Sequence, residues 1–127
     1  MSSQNQPDIE IYVKTKDAET IKNWLSTLSS RTVEFSKKGD MLSTQIFVVD
    51  HIIDVNVLLK AQSGFSSIWF DSQNTTWNND LACAQQFVQD TQIQARCIKS
   101  SWEEDETENP DCWLNIDNEK TTEIIWK

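Results

Sequence analysis

The chain has 127 residues, enough for one domain, and a formal net charge of −9 with 20 acidic against 11 basic side chains. That balance disfavours direct nucleic-acid binding, which needs Lys and Arg on phosphates, and it equally disfavours an anionic membrane surface. Two glycines and two prolines speak against a linker-rich or disordered chain, and the six tryptophans and five phenylalanines supply a core without staples.

Residues 1–8 are polar and read as a frayed terminus, which leaves 9–127 as a single domain. They lack the basic and apolar regions of a signal peptide, so a cytoplasmic location is the expectation. Ile9 to Lys14 alternates apolar with polar, which predicts a strand. Asp17 is placed to cap a helix over 17–29, whose apolar stripe is Ile21, Trp24, Leu25 and Leu28. Thr32–Ser36 and Leu42–Val49 predict two strands of a hairpin, with turn chemistry at Lys37, Lys38, Gly39 and Asp40.

Residues 54–62 admit two readings. The valines suit a strand. The reading preferred from sequence is a short helix, capped by Asp54, built on Leu58, Leu59 and Ala61, and ended by Gly64. Ser67–Phe70 predicts a buried strand. A second helix follows over 79–91, capped by Asn78 or Asn79, with Leu81, Ala84, Phe87 and Val88 as its apolar face and Trp77 just ahead of it. Gln94–Ser100, Trp113–Ile116 and Thr122–Trp126 predict strands, the last two joined as a hairpin.

The resulting order is βαββαβ followed by αβββ. The expected class is α+β, with a ferredoxin-like βαββαβ core over residues 9–71, a C-terminal αβββ extension, and helices on one face of a mostly antiparallel sheet. The order β-α-β-β also occurs twice, at 9–49 and 67–116, without residue-level similarity.

Signals for catalysis are poor. His51 is the sole histidine, and no GxSxG, P-loop, Gly-rich phosphate loop or HExxH occurs. No catalytic residue, metal ligand or cofactor site is therefore assigned. Cys83, Cys97 and Cys112 make an odd count without a CxxC, which predicts reduced thiols rather than disulfides or zinc.

The most distinctive stretch is Trp102–Lys127, which carries nine carboxylates against two lysines. Its dense part is Glu103, Glu104, Asp105, Glu106, Glu108 and Asp111, flanked by Trp102 and Trp113. Crowded carboxylates repel, and a basic partner would relieve them, while flanking aromatics suit an interface anchor. The expected function is a non-enzymatic protein-binding module of inhibitor, immunity, adaptor or nucleic-acid-mimic type. The expected partner is a basic protein, and the chain itself is a monomer or homodimer. The competing expectation is a sensor or enzyme with a small-molecule pocket near Asp71, Trp77 and Asp80, where a strand end meets a helix start.

Overall fold

The computed structural model describes residues 8–48, 51–62, 64–72, 75, 77, 79–98, 112–117 and 120–125. Ten elements follow in chain order. They are β1 (Ile9–Val13), α1 (Ala18–Leu28), β2 (Ser36–Lys38), β3 (Met41–Val48), β4 (His51–Gln62), β5 (Phe65–Asp71), α2 (Asp80–Thr91), β6 (Ala95–Ile98), β7 (Cys112–Asp117) and β8 (Lys120–Ile125). The strands form one eight-stranded sheet in the order β2-β3-β4-β5-β1-β6-β7-β8, and every neighbouring pair is antiparallel. The class is α+β, a mostly antiparallel sheet with two helices.

Both helices begin as their sequence dictates. The Asp17 carboxylate accepts the Glu19 backbone N–H at 3.1 Å and the Thr20 hydroxyl at 2.9 Å. Asn79 Oδ1 accepts the Ala82 N–H at 2.9 Å. These bonds satisfy donors that the first turn leaves open. Ile21, Trp24 and Leu25 of α1 and Cys83, Ala84, Phe87 and Val88 of α2 are buried. They pack on the sheet face that carries Ile9, Ile11, Val13, Val55, Val57, Ile68 and Phe70. Trp24 is the hub. Its ring lies 4.9 Å from Phe87, 6.1 Å from Phe70 and 6.1 Å from Trp77, the last pair stacked at 16°.

The ferredoxin-like expectation fails at residues 54–62. These belong to β4, so the described residues within 9–71 hold no second helix. Asp54, Asn56 and Leu58 alternate with Ile53, Val55 and Val57, and only the second set is fully buried. A period of two places one set on the helix-covered face and the other opposite. β4 pairs with β3 from His51 to Leu58 and with β5 from Asp54 to Leu58 and again at Gln62, and these ladders outweigh the local helix preference of Leu58 to Ala61. Gly64, expected to end a helix, instead has φ +84 in the β4–β5 turn. The first hairpin is also tighter than expected, since Thr32–Phe35 stays out of the sheet and β2 is only three residues long.

The repeated element order survives in a longer form, βαβββ twice. The two meanders β2-β3-β4 and β6-β7-β8 flank the central pair β5-β1, but the first joins through its last strand and the second through its first. β1 lies between β5 and β6, so β5-α2-β6 is a split crossover.

Candidate functional site

The register assigns side chains to the second sheet face, on which neither helix packs. One row crosses it as Ser43, Asn56, Trp69 and Glu10, and a second as Met41, Leu58, Ser67, Tyr12, Arg96, Asn115 and Thr122. A third row holds Gln45, Asp54 and Asp71. Glu34 lies outside the sheet, two residues before β2, and borders the same row from the chain segment ahead of that strand.

That third row floors a cleft of about 550 Å³, also lined by Thr32, Ser36, Ser43, Phe47 and Asn56. Asp54 and Asp71 are direct cross-strand partners and both are exposed. Gln45 Nε2 donates to Asp54 Oδ1 at 2.8 Å, and Ser43 Oγ donates to Asn56 Oδ1 at 3.1 Å. Among the described residues no cationic side chain lines the cleft; Lys22 Nζ reaches Glu34 from α1 at 3.8 Å. Like charges facing each other across strands oppose folding, so this arrangement is poorly explained as a device for stability. Beside it stands an apolar cross-strand pair, Phe47 and Ile52, and Ile52 is 56% exposed. The Arg31 guanidinium lies 4.6 Å from the Phe47 ring.

The three residues of the expected small-molecule pocket have separate surroundings. Asp71 belongs to the cleft. Trp77 is buried on the helix-covered face, donates Nε1–H to Gln86 Oε1 at 2.9 Å, and borders a cavity of about 230 Å³ of mixed lining with Thr27, Leu28, Ile46, Ile53 and Thr75. Asp80 is buried at the start of α2, where its Oδ1 accepts the Glu10 backbone N–H at 3.0 Å. This bond occupies the edge of β1 beyond the stretch that β6 pairs, so Asp80 pins α2 to the sheet.

Of the expected partner-binding residues, Trp102, Glu103, Glu104, Asp105, Glu106, Glu108 and Asp111 lie outside the described residues. Trp113 is half-buried on the helix-free face, with its ring edge-on to Tyr12 at 5.3 Å and 82°. Arg96 lies over the buried Phe65 at 4.6 Å and donates Nε–H to Asn115 Oδ1 at 2.9 Å. Burial lowers the Arg96 pKa from its ordinary value.

Strand directions gather the acidic groups. β1 begins, β5 ends and β4 begins at one end of the sheet, which holds Asp8, Glu10, Asp54 and Asp71. The chain leaves β6 at Ile98 and re-enters β7 at Cys112 at that same end. Asp8, assigned from sequence to the frayed terminus, is held by Trp69 Nε1–H at 2.7 Å. The Glu10 carboxyl is raised above the usual range by partial burial, then by the charges of Asp80 and Asp8. Lys14, Lys16, Lys37, Lys38, Lys60 and Lys120 fall toward the opposite end, offset there by Asp17, Asp40 and Asp117.

Asp54 is legible in the sequence only as a helix cap, and neither it nor Glu34 is marked there as a site residue. The missing signal was tertiary: register sets Asp54 beside Asp71, and the segment ahead of β2 brings Glu34 to the same cleft. Among the described residues no three His, Cys, Asp or Glu side chains gather closely enough to hold a metal ion, and no helix is long and apolar enough to cross a membrane. No known protein-family model matches the sequence, and comparison with curated proteins and with solved structures returns no significant match.

Proposed function

We propose that this chain is a non-enzymatic protein-binding module that receives a basic partner protein at the acidic end of its sheet. The observation that carries the reading is the convergence there of Asp8, Glu10, Glu34, Asp54 and Asp71; the run Glu103–Asp111 falls in sequence between Ile98 and Cys112, which border the same end. Carboxylates from distant parts of the chain are costly to crowd, and a partner's Lys and Arg would offset that cost. Their field would also speed encounter, by about tenfold or more at low salt. Exposed Ile52, paired with half-buried Phe47, offers apolar contact beside the charges, as interface cores do. Trp102 and Trp113 remain the proposed aromatic anchors. The buried free thiols of Cys83 and Cys97 suit the reducing cytoplasm, the compartment proposed here.

Capture from native lysate at low and high salt tests the reading. Wild type is expected to retain a basic protein at low salt and release it as salt rises. Asp54→Lys with Asp71→Lys, and separately Glu103→Lys with Asp105→Lys, are expected to abolish retention in correctly folded protein. Retention that survives both pairs would overturn the proposal.

A further inference from the structure

The two edges of the sheet are built differently. β2 ends one side with only three residues, two of them Lys37 and Lys38, which is how edge strands are blunted against pairing. β8 ends the other side with six residues, Lys-Thr-Thr-Glu-Ile-Ile. It pairs regularly with β7 from Asp117–Lys120 to Cys112–Ile125, without a bulge or proline. Four of its six residues are β-branched, and it carries one lysine against one glutamate. Among the described residues no strand pairs with its outer side, and this locally neutral edge occurs in a chain of net charge −9.

We infer that β8 pairs antiparallel with β8 of a second copy, giving a two-fold dimer with a continuous sheet. The occupant follows from symmetry and charge. A two-fold axis perpendicular to the sheet requires opposing residues to share a face, so only registers joining residues of equal parity are allowed. The register centred on Thr122 opposes Lys120 to Ile124 and Thr121 to Glu123. Moving its centre to Glu123 would set that carboxylate against its own copy. Antiparallel pairing also turns the second copy end for end, so the two acidic ends lie at opposite ends of the joint sheet. That placement minimises repulsion between two anionic chains. The blunt β2 edge stops growth at two copies, and the cleft at Asp54 and Asp71 lies on the far side of the sheet, open in both.

Sedimentation equilibrium of the full chain, loaded up to about 1 mM, tests this. The expected result is a monomer–dimer equilibrium that tightens as salt rises, because screening relieves repulsion between like-charged copies. Salt thus acts here with the opposite sign to its effect on a basic partner. Thr122→Lys with Ile124→Lys gives the β8 edge the protection that β2 already has, and is expected to weaken the dimer by about tenfold or more while circular dichroism stays native. Wild type that remains monomeric throughout would overturn the inference without recourse to any variant. So would a dimer unchanged in the folded double variant, or a series of higher oligomers.

Discussion

Trp24 shows how one side chain is held by several elements at once. Its ring contacts Phe70, Phe87 and Trp77, and its Nε1–H donates to Asp90 at 3.0 Å. Trp24→Ala should cost about 3–5 kcal/mol in urea unfolding, whereas Trp24→Phe keeps an aromatic ring and should cost about 1–2 kcal/mol. The thiols make a second case. Burial raises Cys83 well above the ordinary thiol range, and it pushes Cys97 up to about 12 with a further contribution from Asp80. Only the thiolate is nucleophilic, so neither should be alkylated at pH 8 in the native state. Both should react in guanidinium, as peptide mass spectrometry would show. Glu10 titrates with a definite sign. Its folded value is raised, so the stability it contributes is present below the ordinary carboxyl range and lost as pH rises through the raised value. Glu10→Gln should therefore be more stable than wild type at neutral pH. Thermal melts should show that gain closing below about pH 4.

Among the elements, those with clean periodicity were legible and those set by tertiary pairing were not. The stripe Ile21, Trp24, Leu25 defines α1, and Asp17 and Asn79 mark helix starts that the structure retains. β4 carried two conflicting signals. Leu58, Leu59 and Ala61 favour a helix locally, while the alternation from Ile53 to Val57 suits a strand, and pairing with β3 and β5 resolves the conflict. β4 also contains an irregularity that sequence does not announce. Between the pairs Leu58–Ser67 and Gln62–Phe65 it carries Leu59, Lys60 and Ala61 where β5 carries only Ser66. Lys60 has φ 57 there, its N–H donates to Ser66 Oγ at 3.2 Å, and Ser66 Oγ donates to the Thr15 carbonyl at 2.6 Å. The end of α2 is similar. Gln92 sits at φ 64 with its N–H on the Val88 carbonyl, a conformation that glycine adopts without strain. Gln92→Gly should raise stability by about 1 kcal/mol, measured by chemical denaturation, despite losing the exposed side-chain bond to Gln89.

For the molecule as a whole, the candidate site was legible only in its charge. Asp71 could be named because a strand end precedes a helix, but Asp54 was hidden in a misread helix and Glu34 in an expected strand. Register makes Asp54 and Asp71 neighbours, and the segment ahead of β2 brings Glu34 to their cleft. The distinction between a structural and a recognition role then rests on free energy. Asp80 is buried and accepts a backbone N–H from β1, so Asp80→Ala should destabilise the fold by about 1–3 kcal/mol through the unsatisfied Glu10 donor. Asp71 is exposed and faces Asp54 across the ladder. Asp71→Asn removes one of two like charges, so stability should be unchanged or raised by up to about 0.5 kcal/mol, while the basic partner should bind more weakly at low salt. Chemical denaturation of Asp71→Asn beside the salt-dependent capture assay measures both quantities. A carboxylate whose removal stabilises the chain and weakens its complex belongs to recognition. A loss of stability in Asp71→Asn with capture intact would return that end of the sheet to a structural role.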